Sequence, residues 1–177
     1  MADDRIKLFS DPADKIIRKQ IRPGDKIFID MDNCLVNFQS GINKLSKSVL
    51  NKYAWEDLDD VPGIFSKMEP NPGAVEVINK LSKVYDLYIL STAPWANPTA
   101  WSDKLLWIQK YFGKDKGSIF YKKIILTHHK DFELTSGAYL IDDRFKNGAD
   151  AWAKKNKLIR FGNPQFPDWE SIGKFLL

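Results

Sequence analysis

Lys26-Ile27-Phe28-Ile29-Asp30-Met31-Asp32 runs a short apolar segment directly into two carboxylates placed two residues apart. Bounded upstream by the Pro23-Gly24 turn signal, the segment reads as a buried strand that ends in Asp30. Outward from it, similar strands recur at Asp86–Ser91 (DLYILS), Lys123–Thr127 (KIILT), Tyr139–Ile141 and Leu158–Phe161. Helical patterns fall between them. Asn71-Pro72 offers an N-cap and a first-turn proline, after which Val75, Ile78 and Leu81 line one face. Trp101, Leu105, Ile108 and Phe112 keep helical spacing until Gly113 stops it. Alanines between Asn147 and Lys155 predict another helix, and Trp169, Ile172 and Phe175 or Leu176 a terminal one. Short apolar strands alternating with helices imply a parallel sheet covered on both faces. The expected fold is therefore α/β: a three-layer, Rossmann-like parallel sheet with a small helical cap insertion.

The insertion is read from Asn37 to Pro70, where the rhythm changes. Phe38, Ile42, Leu45 and Val49 predict a helix, and the acidic, aromatic stretch WEDLDD follows before Pro62-Gly63. The expected division is a catalytic core of 1–36 and 71–177 with 37–70 as the cap. At the start, Pro12 to Gln20 predicts a short amphipathic helix in which Ile16 and Ile17 are the apolar contacts.

A chain of 177 residues with 44% hydrophobic content, 10 glycines and 9 prolines is neither collagen-like nor disordered. Cys34 is the single cysteine, which excludes an intrachain disulfide framework. The opening MADDRIKLFSDPADK has no apolar core of a signal peptide, and no run approaches the roughly 20 apolar residues of a membrane span. No membrane partner and a cytoplasmic location are expected. The net charge of +4 suits an anionic small ligand. The basic residues are scattered, so nucleic acid is not expected as a partner; a homo-oligomer is left open.

In a parallel sheet of this kind, ligands bind beyond the carboxyl ends of the strands. Asp30 with Asp32, Ser91 with Thr92, and Asp142 with Asp143 all fall at such ends, and Lys130 follows shortly after KIILT. Carboxylates held together repel and raise one another's pKa unless a cation intervenes, and a hard divalent ion, Mg²⁺, fits an all-oxygen set that also binds phosphate. Asp30 can then attack phosphorus in line, and Asp32 can protonate the leaving oxygen and later deprotonate water. Thr92 and Lys130 would hold the equatorial oxygens. His128 and His129 are adjacent and diverge on an extended chain, so they do not make a transition-metal site. Cys34 reads as a small buried hydrophobe.

IFIDMDNCL, LYILSTAPW, Lys130 in LTHHKD, and YLIDDR resemble, in order, the four motifs of the haloacid dehalogenase-like hydrolase superfamily. The DMD triplet, the ST-P segment, WSDKLLWIQKYFG and LIDDR followed by NGA resemble its 5′(3′)-deoxyribonucleotidase branch more closely. The resemblance implies Asp30 as nucleophile and Asp32 as acid/base. It implies magnesium held by the Asp30 carboxylate, the Asp32 carbonyl and a fourth-motif aspartate, with the direct ligand open between Asp142 and Asp143. Thr92 and Lys130 take the second- and third-motif positions, and Lys104 resembles an additional phosphate-side lysine. Two departures stand out: Asn33 replaces the usual glycine after the second aspartate, and Ala93 offers a backbone N–H where close relatives have a phosphate-binding serine. Phe38, Trp55 and Phe65 are candidate surfaces for a base, and Trp95 a candidate wall of the entrance; each is weighed against simple core packing.

The function so implied is a magnesium-dependent phosphomonoester hydrolase, a 5′-nucleotidase acting on (deoxy)ribonucleoside monophosphates through an aspartyl-phosphate. The alternatives are a phosphatase of sugar phosphates, other small phosphomonoesters or nucleic-acid phosphate ends, and a non-enzymatic RNA-binding or regulatory module. No RNP-like strand, KH GXXG loop or dense arginine track supports the last.

Overall fold

Five short strands form a parallel sheet in a computed structural model that describes residues 20–177. They are β1 (Lys26–Ile29), β4 (Asp86–Ser91), β5 (Ile124–Leu126), β6 (Ala138–Asp142) and β7 (Leu158–Arg160), in spatial order β5-β4-β1-β6-β7. The two remaining strands, β2 (Val36–Asn37) and β3 (Glu69–Pro70), form a separate antiparallel pair. The expected helix from Pro12 lies outside the described residues except for Gln20.

Because successive strand residues face opposite sides, each strand feeds two apolar layers. Ile27, Ile29, Leu87, Ile89 and Ile141 share one core with α3 (Ala74–Leu81), α4 (Thr99–Phe112) and α6 (Trp169–Leu176). Phe28, Leu90 and Leu140 pack on the other side against Ala149 and Trp152 of α5 (Ala149–Lys154). Helices therefore cover both faces, as the strand pattern implies. Ile29 lies level with Ile89 of β4 and Ile141 of β6. Residues immediately after these positions meet at one edge, beside the place where the chain, having built β4 and β5 on one side of β1, crosses to β6 on the other.

The segment between β1 and α3 departs from expectation in one respect. The single helix read through Phe38 to Val49 is two short ones, α1 (Phe38–Ile42) and α2 (Lys47–Leu50). Ser46 ends the continuity: its hydroxyl caps the second helix by accepting from the Val49 N–H, a role serine fills better than a helix interior. Two 3₁₀ turns follow, Trp55–Asp60 and Phe65–Lys67. Ile42, Leu58, Val61, Ile64 and Met68 bury into the same core as β1.

Two further expectations are corrected. Asn71 does not cap α3, which begins at Ala74 after Gly73; its amide donates instead to the carbonyls of Cys34 at 2.7 Å and Asn33 at 3.1 Å. The turn after Asp32 exposes those carbonyls to the interior, and a buried carbonyl needs a donor. On α4 the inner face is Ala100, Lys104, Trp107 and Ile108, whereas Trp101 and Leu105 are 44% and 43% exposed. A lysine can occupy the inner stripe because a carboxylate waits for it. Among the described residues, no helix is long and apolar enough to cross a membrane.

Candidate active site

At the carboxyl edge of β1, Asp30 is 1% exposed, and its amide is fixed by the Ile141 carbonyl at 2.9 Å. Lys130 reaches it from the start of the 3₁₀ turn Lys130–Glu133, which follows β5. The Lys130 ammonium lies 2.9 Å from Asp30 Oδ1 and 2.6 Å from Asp142 Oδ2. Its backbone is pinned at both ends to the entry of α5: its N–H donates to the Asn147 carbonyl at 2.8 Å, and its carbonyl accepts from Trp152 Nε1 at 3.0 Å. Burial works against the charged lysine, yet Asp30 and Asp142 outweigh it and hold its pKa above the ordinary lysine range.

Asp30, Asp142 and Asp143 each bring a carboxylate oxygen within 4.8 Å of the others. Asp30 Oδ2 and Asp143 Oδ1 are buried without a hydrogen bond, although Arg144 Nε approaches the latter at 3.4 Å. Burial and then the charge of Asp30 push Asp142 up to about 6 and Asp143 up to about 8. Asp30 goes the other way: burial raises it, but Lys130 and then Lys104 bring it below its ordinary value. Three close oxygens, two of them unsatisfied, on carboxyls that resist ionising together, match the hard, oxygen-seeking chemistry of a divalent cation.

Asp32 belongs to a second cluster. Lys104 Nζ lies 2.8 Å from each Asp32 oxygen, 2.9 Å from Ser91 Oγ and 2.7 Å from the Thr92 carbonyl. The phosphate-side lysine expected here is thus fully buried as the counter-ion of Asp32. It also stands 4.6 Å over the Phe65 ring. Burial raises the Asp32 pKa, Lys104 opposes it, Asp30 adds to it, and the net shift is upward. Asn33 takes φ 56, the left-handed conformation that the usual glycine would adopt, and asparagine tolerates it better than most residues.

The remaining candidates separate. Thr92 Oγ1 donates to the Thr127 carbonyl at 2.8 Å, so the hydroxyl must turn from β5 before it can donate to a phosphate. The carbonyl of the fully buried Ala93 accepts from the His128 ring at 3.0 Å, while His129 stacks on Phe132, so the two histidines diverge as expected. Phe38 and Trp55 line a cavity of about 160 Å³ beside Asp32 with Asp59 and Arg144. Phe65 does not: it is 2% exposed and packs in the core under Lys104, which corrects its reading as a pocket surface. Trp95 is 91% exposed and faces His128 at 6.0 Å; it is not among the residues lining that cavity. Cys34 is buried, with burial and then Asp30 pushing its thiol well up. Arg144 at the cavity was missed, though its place directly after the paired aspartates was a signal.

The family model described as 5′ nucleotidase, deoxy (pyrimidine), cytosolic type C protein (NT5C) matches residues 43–170. A candidate 5′(3′)-deoxyribonucleotidase of Vibrio phage KVP40 is 49% identical over 150 residues, covering 85% of this chain and 83% of that protein. The mitochondrial 5′(3′)-deoxyribonucleotidase of Homo sapiens is 26% identical over 147 residues, covering 67% of this chain and 62% of that protein. A solved HAD-superfamily hydrolase of subfamily IA from Geobacter sulfurreducens is 12% identical, with a TM-score of 0.49 over 84% of this chain and 91% of that one. The chain is a phosphatase of the 5′-nucleotidase class. Within it, the chain belongs to the NT5C family of 5′(3′)-deoxyribonucleotidases.

Proposed function

We propose that this protein hydrolyses the phosphomonoester of (deoxy)ribonucleoside monophosphates, with Asp30 as nucleophile and Asp32 as acid and base. The observation that carries the reading is the division of labour between two buried lysines. Lys130 holds Oδ1 of Asp30 and leaves Oδ2 unsatisfied, while Lys104 holds Asp32 apart in its own cluster. A lowered pKa keeps Asp30 ionised for attack, and a raised one lets Asp32 carry a proton nearer neutrality.

Asp30, Asp142 and Asp143 would hold Mg²⁺, together with the Asp32 carbonyl. When bound, the cation offsets the carboxylates' repulsion and stabilises negative charge on phosphoryl oxygens. The chain's own residues do the rest. A carboxylate oxygen of Asp30 bonds to phosphorus as the bond to the leaving oxygen breaks, and Asp32 gives that oxygen its proton. Water then attacks the acyl phosphate, Asp32 takes the water's proton, and phosphate leaves with Asp30 restored. Lys130 offsets charge at the reacting centre, and Thr92, after rotation, and the Ala93 N–H supply donors.

Residues 37–70 serve as a small cap over a core of 1–36 and 71–177. Phe38 and Trp55 offer faces for a base, which supports a nucleoside over a smaller leaving group. The test is phosphate release from a panel of nucleoside monophosphates, sugar phosphates and phosphorylated oligonucleotides, with Mg²⁺ and with chelator. Magnesium-dependent turnover led by the nucleoside monophosphates is expected; full activity in metal-free buffer or a clear preference for sugar phosphates overturns the reading.

A further inference from the structure

Asn97 is fully buried in the loop joining β4 to α4, and no part of the proposed chemistry uses it. A buried primary amide has two N–H donors and a carbonyl acceptor to satisfy. Here all are met. Nδ2 donates to the carbonyls of Asp59 at 2.8 Å and Val61 at 3.0 Å. Oδ1 accepts from the Thr99 N–H at 3.2 Å and the Thr99 hydroxyl at 2.8 Å. Thr99 Oγ1 in turn accepts from the Gly63 N–H at 2.8 Å. The donor and acceptor pattern fixes which way the amide points.

Every far end of this network lies on 59–63, the backbone that follows Trp55 and Glu56. Trp55, Asp59 and Asp32 line the same cavity. The near end lies on the loop that begins at Thr92 and leads into α4, the helix whose Lys104 holds Asp32. One loop and one helix thus fix both the Asp32 carboxylate and the wall facing it.

We infer that Asn97 is a positioning residue: it sets the distance between the 55–61 wall and the reacting edge, and so the preference for a nucleoside leaving group over a small one. The inference rests on the proposed nucleotide reading and deepens it. A leaving group too small to reach the wall is indifferent to its place, whereas a nucleoside is not. Truncating Asn97 takes the donor from the Asp59 carbonyl and the acceptor from both Thr99 donors, and leaves the Val61 carbonyl with the Ile64 N–H alone, so the wall loses its tie to the loop and shifts.

The test compares thymidine 5′-monophosphate with acetyl phosphate, both with Mg²⁺, for the wild type, Asn97→Ala, Thr99→Ala and Thr99→Ser. For Asn97→Ala and Thr99→Ala the expected result is a KM for the nucleotide raised about tenfold with kcat changed less than about threefold, so that kcat/KM relative to acetyl phosphate falls about tenfold. Thr99→Ser keeps the hydroxyl and restores the ratio. Melting temperatures run alongside, because a purely structural role lowers stability and leaves the ratio alone. Parallel changes for both substrates, or an unchanged ratio, overturn the inference while the nucleotide reading stands. Should Asn97→Ala fail to fold, the two Thr99 variants decide. A wild type that turns over neither substrate overturns the functional reading, and this inference with it.

Discussion

The two buried lysines make different demands when removed. Lys130→Met leaves Asp30 and Asp142 close together without their shared cation, and breaking such a buried cluster costs about 3–5 kcal/mol. Urea melts in metal-free buffer check this, and turnover should fall further than in Lys104→Met because Lys130 touches Asp30, the proposed nucleophile. Lys104→Met removes the main influence that lowers the Asp32 pKa, leaving burial and Asp30 to raise it unopposed. The step that needs ionised Asp32 then moves to higher pH, and kcat near pH 7 falls about a hundredfold. A pH–rate profile that keeps its wild-type acid limb contradicts that role. At this scale the sequence made the clustered side chains legible, since carboxylates at strand ends are visible in one dimension. It concealed their pairing. That Lys104 belongs to Asp32, and that the Thr92 hydroxyl is engaged by Thr127, depends on contacts between strands that no spacing records.

Among the elements, the entry of α5 carries a consequence for catalysis. Gly148 has φ +88, and a Cβ there would stand 2.7 Å from the Asp131 backbone nitrogen, the residue directly after Lys130. Gly148→Ala therefore displaces the Lys130 turn; it should lower both stability and turnover, the latter by more than a matched substitution at the open Gly162 site. Trp152→Phe is gentler: it keeps most of the ring packing, leaves a small cavity where the rest of the buried indole sat, and removes the hydrogen bond to the Lys130 carbonyl, worth about 1 kcal/mol. A several-fold loss in kcat with a small drop in melting temperature is expected, and unchanged kcat would mean that α5 does not hold the lysine in place. The strands were legible because fully buried runs such as DLYILS stay apolar throughout. The insertion was legible only as an interruption. Helices as short as α1 and α2 give periodicity little to act on, and Ser46 ends one pattern by capping the next. On α4 the expected stripe holds at Ile108 and Phe112 and fails at Trp101 and Leu105, because the lysine that takes the inner place is stable only opposite a carboxylate 72 residues away in sequence.

For the whole molecule, charge at the site links stability to pH and metal. Asp142 at about 6 and Asp143 at about 8 sit above the ordinary 3.8, so between about pH 4 and 8 the folded protein binds more protons than the unfolded chain. Their contribution is greatest below pH 4 and is lost as pH rises through 6 and 8. Metal-free protein should therefore lose melting temperature from these groups between pH 5 and 8, and Mg²⁺ should restore more of it at pH 8 than at pH 5, where protons compete for the same oxygens. Asp142→Asn removes one like charge, and should flatten that pH dependence while weakening the response to Mg²⁺. Calorimetry across pH with and without the ion checks both. The central claim, that the sheet edge exists to present Asp30 to phosphorus, is tested most directly by trapping the intermediate. Wild-type protein mixed with thymidine 5′-monophosphate and Mg²⁺, quenched in acid within its first turnover and digested, should yield one phosphorylated peptide with the phosphoryl group on Asp30, absent in Asp30→Asn. A phosphoryl group mapped to another residue, or phosphate released at the normal rate by Asp30→Asn, would contradict it.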